Sequence, residues 1–152
     1  MLHPWSIRRA APAEWESILK LQERLNRPRR SDSVCSEYFV AVSGGDIVGC
    51  AAVRKRERVG YLYGLAVDKP WRRRGIGHAL TEVRLDWLRE QNAQVALVMT
   101  MFWNVGFFKK HQFSLANRRQ MTTELELLHS DFSDTWSRKS ALLSVEIHSG
   151  DL

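Results

Sequence analysis

The residues of this chain that are best suited to chemistry form one short basic segment, Arg72-Arg73-Arg74-Gly75-Ile76-Gly77. An apolar run at 61–67 precedes it and predicts a buried strand, and a helical pattern from about 75 to 91 follows it. The start of a helix leaves backbone N–H groups without helical partners at the positive end of the dipole, and glycine lets an anion approach them. Arginine side chains add charge-assisted donors. The segment therefore predicts a phosphate-binding site.

Other phosphate-binding motifs fit the chain less well. There is no Gly-x-x-x-x-Gly-Lys-(Ser/Thr) segment, and no Gly-x-Gly-x-x-Gly segment with an acidic residue about 20 positions further on. The alternative to a phosphate site is an arginine-rich turn that is only solvated. The strand before the segment and the helix after it favour the phosphate site.

This order of strand, basic glycine loop and helix resembles the acetyl-CoA site of the GNAT acetyltransferase superfamily. The family signature is (Gln/Arg)-x-x-Gly-x-(Gly/Ala), after a strand that ends in a Val-x-x-Pro-like turn. Arg72, Gly75 and Gly77 match the signature, and residues 67–70 match the turn. The resemblance implies that the cofactor phosphates bind along one stretch of the chain. Its residues are Arg72, Arg73, Arg74, Gly75, Ile76, Gly77 and His78.

The resemblance also implies a role for the backbone of the strand that ends at Val67. In the family, the pantetheine arm of the cofactor pairs with this strand, and a backbone N–H polarises the thioester carbonyl. The matching positions are Leu65, Ala66 and Val67. Their side chains can be plain apolar groups, because the main chain carries the function.

A second landmark of the family, Asn followed by Phe-Tyr-x-x-x-Gly-Phe, is similar to residues 104–113. Asn104 is expected to hydrogen-bond the pantetheine arm. Two positions depart from the pattern, since Phe108 stands where the family has Tyr and Gln112 where it has Gly. Many members use that Tyr hydroxyl to protonate the leaving thiolate, and Phe108 cannot donate a hydrogen bond. Another group or water must then do this work.

The general base is open among three side chains. Some members place a Glu at the position of Tyr61, which could relay a proton through water, although packing is the favoured interpretation. Tyr63, next on the same strand face, is expected to shape the acceptor pocket. His111 titrates in a suitable range, although a surface histidine is the favoured interpretation. Phe102 and Trp103 are expected to line the acceptor site or the core.

The two cysteines, Cys35 and Cys50, lack metal-ligand spacing, and no metal is predicted. Two free thiols in a chain of this size are typical of a reducing compartment, so the predicted location is cytoplasmic. Cys50 lies in an apolar run, where a thiolate is disfavoured. Neither cysteine has a histidine nearby in sequence. We therefore expect direct attack by the amine, without an acetyl-enzyme.

The composition bounds the remaining possibilities. A chain of 152 residues with 44% hydrophobic residues predicts one domain, 1–152, with a real core. No run of 18 apolar residues and no signal-peptide pattern is present, so a membrane partner is not expected. The net charge of +6 lies mostly in clusters at 24–30, 54–58 and 72–74. The cofactor phosphates account for the last cluster, and solvated faces are favoured over a nucleic acid site for the others.

The elements that must position these residues follow from the apolar periodicity. Strands are predicted at 5–8, 38–42, 47–53, 60–67, 94–100, 113–119 and 141–147, and helices after Pro12, at 75–91 and at 107–111. A hairpin turn joins the second and third strands. This order is that of the GNAT fold, an α/β (α+β) architecture. The resemblance implies a mixed, mostly antiparallel central sheet, splayed in the middle and flanked by helices.

The resemblance implies an acetyl-CoA-dependent N-acetyltransferase that acts on a primary amine. The pattern from Thr100 to Phe113 looks like GNAT members related to the N-acetylglutamate synthase acetyltransferase domain, which favours an amino acid as acceptor. Arg54, Arg56 and Arg58 could then supply a cation for its carboxylate. Protein N-termini, Lys side chains, polyamines and aminoglycosides stay open as acceptors. A non-catalytic coenzyme A or polyanion-binding module is the alternative class, and a homodimer is an open option.

Overall fold

The structure is a computed structural model, and it describes residues 4–25, 36–128 and 139–148. Within these residues, seven strands form one sheet in the order β1-β2-β3-β4-β5-β7-β6. The strands are β1 Ser6–Arg9, β2 Ser36–Ser43, β3 Asp46–Arg56, β4 Val59–Val67, β5 Val95–Met101, β6 Ser114–Leu115 and β7 Ser140–Glu146. The helices are α1 Trp15–Arg24, α2 Ile76–Glu90, α3 Val105–Lys109 and α4 Thr122–Leu127.

The strand pairing confirms the predicted mixed, mostly antiparallel sheet. β1 pairs antiparallel with β2, and β7 pairs antiparallel with both β5 and β6. β4 pairs in parallel with β5, in a register that runs from Val59–Val95 to Leu62–Val98. β4 itself continues beyond this register to Val67.

The chain divides into two compact units, one from residues 1–53 and 63–84 and the other from 54–62 and 85–152. In the first unit, α1 buries Ile18, Leu19, Leu21 and Gln22, which lie on one face at helical spacing. The predicted hairpin turn between β2 and β3 is confirmed. Gly44 and Gly45 have φ of 56° and 86° there, and a turn with two positive φ angles matches the twist of the strands it joins.

In the second unit, β5 buries Ala96, Leu97 and Val98, and it pairs with β7 over seven residues from Val95–Glu146 to Met101–Ser140. The strand predicted at 113–119 is shorter than expected, because β6 ends at Leu115. Asn117 then forms a turn in which its Oδ1 accepts from Arg119 N at 2.9 Å. In the part of the chain that the structure describes, no helix is long and apolar enough to cross a bilayer.

Gly60 provides a test of the packing in this second unit. A Cβ added at Gly60 would lie 2.5 and 2.6 Å from the two Cδ atoms of Leu88, which is fully buried. Gly60→Ala should therefore lower the free energy of unfolding by about 1–3 kcal/mol. Gly106→Ala in α3 is the matched control, since a Cβ there meets nothing within 4 Å. Equal midpoints of chemical unfolding for the two variants would contradict this account of Gly60.

Candidate functional site

The basic segment connects the end of β4 to the start of α2. Asp68 N donates to Val48 O at 2.8 Å, and Asp68 Oδ1 accepts from Lys69 N at 3.1 Å. A short 3₁₀ turn, Lys69–Trp71, follows. These contacts fix the exit of the chain from β4, so that the segment enters α2 from a defined direction.

The entry to α2 has the geometry that suits an anion. Gly75 has φ of 86°, and the first helical hydrogen bond runs from Ala79 N to Gly75 O at 3.0 Å. The N–H groups that precede Ala79 therefore lie ahead of the intrahelical ladder, at the positive end of the dipole. A Cβ at Gly75 would find its nearest neighbour only at 3.9 Å, on Trp5. Glycine is therefore required there by the positive φ and not by crowding.

The three arginines of the segment are held differently. Arg72 Nε donates to Val67 O at 2.9 Å, which ties the segment back to the end of β4. The Arg74 guanidinium lies 5.0 Å from the centroid of the Trp71 ring, a cation–π distance. Arg73 is exposed and has φ of 64°. The structure thus fixes Arg72 and Arg74 by different contacts in the turn that leads to Gly75.

The three residues whose backbone is expected to polarise the thioester lie directly after a distortion in β4. Ala66 is buried, and Leu65 and Val67 are partly exposed. Gly64, the residue before them, has φ of 68° within the strand. A glycine at positive φ inside a strand is typical of a bulge, which re-aims the residues next to it. This feature was not predicted from the sequence, although an isolated glycine inside a strand pattern is a signal for it.

Tyr63 belongs to an aromatic cluster in the same unit as the basic segment. Its ring centroid lies 6.3 Å from that of Tyr38, at an interplanar angle of 77°, and Tyr38 lies 5.1 Å from Trp15. Tyr63 is buried. The residues 72–78, 65–67 and Tyr63 are thus brought together in one compact unit.

The other predicted site residues belong to the second unit. Tyr61 is 2% exposed, which agrees with a packed side chain. Asn104 precedes α3, and its Nδ2 donates to Thr100 Oγ1 at 3.2 Å. Phe108 is buried edge-on between Phe107 and Phe113, with ring centroids 5.0 and 5.6 Å away.

The interpretation of His111 as a surface residue is wrong. His111 is 7% exposed, and its ring lies 5.5 Å from that of Phe107. The reason lies in the turn after α3. Gln112 has φ of 71°, and Phe113 N donates back to Phe108 O at 3.3 Å, so the chain folds inward at this point. Gln112, which stands where the family pattern has Gly, thus adopts the left-handed conformation that glycine takes most readily.

Three further expectations can be compared with the structure. Phe102 and Trp103, expected to line the acceptor site or the core, are 61% and 60% exposed, so they are not core residues, and a place at the acceptor site stays a prediction. Cys50 is fully buried in β3, as expected, and Cys35 lies outside the described residues. Arg58 forms an ion pair with Glu124, with Nη2 and Oε1 3.5 Å apart.

The hairpin between β3 and β4 contacts the segment that follows α2. The carbonyl of Arg58 accepts from Gln94 N, and Lys55 Nζ donates to Gln91 O. Arg54, Arg56 and Arg58 stay predicted candidates for the cation that an acceptor carboxylate requires.

Comparison with known proteins adds independent evidence. The sequence model of the acetyltransferase (GNAT) family matches residues 5–113. An uncharacterised N-acetyltransferase of Chlorobaculum tepidum is 33% identical over 75 residues, which is 49% of this chain and 47% of that protein. The match thus spans about half the length of this curated relative.

Solved structures with the same fold include several acetyltransferases. N-acetylglutamate synthase from Neisseria gonorrhoeae, complexed with coenzyme A and N-acetyl-glutamate, has a TM-score of 0.76 at 21% identity, covering 97% of this chain and 36% of that one. A Mycobacterium tuberculosis protein in complex with CoA has a TM-score of 0.74 at 20% identity, covering 94% and 99%. The ribosomal-protein-S18-alanine N-acetyltransferase of Escherichia coli has a TM-score of 0.74 at 15% identity, covering 98% and 99%. At these identities the likeness confirms the predicted fold alone.

Proposed function

The chain belongs to the acetyltransferase (GNAT) family, and from this premise we propose that it transfers the acetyl group of acetyl-CoA directly to a primary amine within a ternary complex. The observation that carries the proposal is the segment between β4 and α2, in which Gly75 directly precedes the first residue of the helix. Gly75, with φ of 86°, and the arginines 72–74 offer an anion the N–H groups and charges that a pyrophosphate requires.

In the proposed reaction, the neutral amine nitrogen attacks the thioester carbonyl carbon. A C–N bond forms and the C–S bond breaks, and the sulfur leaves with the electron pair as the thiolate of coenzyme A. The backbone N–H groups of residues 65–67 stabilise the oxygen on which negative charge develops. The amine proton passes to a base or to water, and the thiolate takes up a proton.

The group that protonates the thiolate is proposed to be water or a side chain other than Phe108. Phe108 has no hydroxyl and is buried between two aromatic rings. General acid–base catalysis typically enhances a rate by ~10²–10⁴-fold, and protonation of the thiolate by a positioned acid contributes part of that enhancement. The proposed base or relay groups are Tyr61, Tyr63 and His111. All three side chains are buried. Each would therefore either relay a proton through a bound water or serve only to pack the site.

We propose an amino acid as the acceptor. The support is the resemblance of residues 100–113 to the N-acetylglutamate synthase group and the shared fold of the Neisseria enzyme, which was solved with N-acetyl-glutamate. Arg54, Arg56 and Arg58 are the proposed sources of a cation for the acceptor carboxylate. The likeness to the S18-alanine N-acetyltransferase makes a protein N-terminus the acceptor class to compare against.

An acceptor panel tests this function. Release of free thiol from acetyl-CoA would be followed with amino acids, peptides with free N-termini, polyamines and aminoglycosides. We expect the highest kcat/KM for an amino acid. Faster turnover of the peptides would reassign the acceptor to protein N-termini. The protein could also bind acetyl-CoA and yet release thiol with every acceptor class no faster than without an acceptor. That result would favour a non-catalytic coenzyme A-binding module.

The phosphate site can be tested separately through its arginines. Arg72→Ala and Arg74→Ala should each weaken acetyl-CoA binding by about one to two decades, because a charge-assisted hydrogen bond to phosphate is worth ~1.5–3 kcal/mol. Arg72→Ala should have the larger effect, since it also removes the bond to Val67 O. Arg89→Ala, at the far end of α2 and paired with Asp86, is the matched control. Calorimetric affinities within twofold of wild type for both variants would refute the site.

A further inference from the structure

Arg84 is the largest fully buried side chain among the described residues, at 1% exposure on α2. Burial lowers its pKa to about 9, so the guanidinium stays protonated at neutral pH. Taking such a charge out of water costs several kcal/mol unless its N–H groups are paired. A helix position on the sheet-facing side would ordinarily hold an apolar residue. The partners of Arg84 therefore indicate what the charge is for.

The guanidinium connects α2 to two strands of the sheet. Its Nη1 donates to Ala52 O on β3 at 3.1 Å and to Tyr63 O on β4 at 3.4 Å. On the helix side, its Nε donates to Leu80 O at 3.0 Å. Its Nη2 donates to Thr81 Oγ1 at 3.2 Å. One end of the group is thus anchored to its own helix, and the other end binds main-chain carbonyls of β3 and β4.

Those two carbonyls flank the bulge in β4. Tyr63 immediately precedes Gly64, which has φ of 68°. Ala52 lies opposite, since a Cβ added at Gly64 would be 3.6 Å from Ala52 Cβ and 3.9 Å from Ala52 N. Arg84 thus donates to main-chain carbonyls of both strands beside Gly64. One charged group that binds buried carbonyls on two neighbouring strands holds the strands in place at this point.

We propose that Arg84 is a positioning residue for acetyl transfer, which fixes the Gly64 bulge through Ala52 O and Tyr63 O and so directs the backbone N–H groups of residues 65–67. The inference rests on the proposed function, because it concerns the same polarising backbone. Donors aimed at a developing oxyanion lose much of their effect when displaced by about 1 Å. The phosphate segment 72–78 is tied to β4 by the bond from Arg72 Nε to Val67 O. Arg84 reaches it indirectly, through Thr81 Oγ1, which donates to Gly77 O at 2.8 Å, so cofactor binding should depend little on Arg84.

The kinetic test compares Arg84→Met, Arg84→Lys and Leu88→Ala. Arg84→Met keeps a similar volume without donors, and kcat should fall by about 100-fold while KM for acetyl-CoA changes by less than about threefold. Arg84→Lys keeps one charged donor group and should recover part of the loss. Leu88→Ala, one turn further along α2 against Gly60, should lower the thermal midpoint but leave kcat nearly unchanged. A purely structural role would make Arg84→Met behave like Leu88→Ala, which would overturn the proposal.

A second measurement needs no acceptor. Acetyl-CoA labelled with carbon-13 at its carbonyl should show a shifted carbonyl resonance on binding to wild type, because hydrogen bonds polarise the thioester. Arg84→Met should lose this shift while its Kd for coenzyme A stays within about threefold of wild type. An unchanged shift, or equal losses of coenzyme A affinity and kcat, would overturn the proposal. If Arg84→Met fails to fold, Arg84→Lys is measured in the same two ways, with a partial loss of kcat and shift expected.

The outcomes for the two proposals can be told apart. If wild type transfers no acetyl group to any amine but shifts the carbonyl resonance in an Arg84-dependent way, the proposed function fails and the role of Arg84 stands. If wild type transfers acetyl groups and Arg84→Met retains both kcat and the shift, the proposed function stands and the role of Arg84 fails.

Discussion

Replacing Gly75 with valine is expected to abolish measurable acetyl-CoA binding, with a loss of at least about 100-fold in affinity. Gly75 has φ of 86°, and a β-branched residue is strongly disfavoured in that conformation. The backbone at the entry to α2 would have to rotate, which turns its N–H groups away from the phosphates. A Cβ would also stand where an anion must approach the main chain. Isothermal titration calorimetry with acetyl-CoA measures the effect directly.

The matched control for this variant is Gly44→Val in the turn between β2 and β3. Gly44 also has a positive φ, 56°, and a Cβ there meets nothing within 4 Å. It should therefore carry comparable backbone strain without touching the proposed site. We expect Gly44→Val to bind acetyl-CoA as wild type does. Retained binding by a folded Gly75→Val protein would show that the phosphates bind elsewhere.

The second large effect is expected at the bulge. Gly64→Val should lower kcat by about 10²–10³-fold, the range that accompanies loss of an oxyanion donor. Its φ of 68° disfavours valine, and the new Cβ would lie 3.2 Å from Gln22 Nε2. Relief of both conflicts requires β4 to straighten, which would displace the N–H groups of residues 65–67. Steady-state kinetics with the best acceptor of the panel provide the measurement.

Gly60→Ala, in the same strand, separates this catalytic effect from general destabilisation. Gly60 lies four residues before Gly64, and a Cβ added there would contact Leu88. Gly60→Ala should therefore lower stability and preserve kcat. Equal kcat losses in Gly60→Ala and Gly64→Val, each measured well below its thermal midpoint, would mean that the bulge has no special part in catalysis.

Much of the fold could be predicted because the periodic signals are strong. The apolar run that becomes β4 and the helical pattern that becomes α2 have structural bounds within one residue of those predicted at 60–67 and 75–91. The hairpin turn was recognisable because two adjacent glycines allow positive φ. β6 was overestimated, since side-chain hydrogen bonding by Asn117 competes with strand continuation and the pattern of apolar residues does not report it.

The site was predictable where main-chain geometry follows from glycine, and not where it depends on tertiary contacts. The anion site at Gly75 belongs to the first kind. The burial of His111 belongs to the second, because it depends on a left-handed Gln112 that returns the chain to Phe108. Arg84 could not be assigned a role from sequence, since its carbonyl partners lie 21 and 32 residues away.

The central claim, direct transfer of an acetyl group from acetyl-CoA to an amine, is tested most directly with isotopically labelled acetyl-CoA and mass spectrometry. The protein would be mixed with the labelled cofactor, first alone and then with the best acceptor of the panel. We predict one labelled N-acetyl product for each free thiol released, and no label on Cys35 or Cys50 at any time. A stoichiometric acetyl-cysteine that an added amine discharges would contradict the account and establish a covalent carrier mechanism.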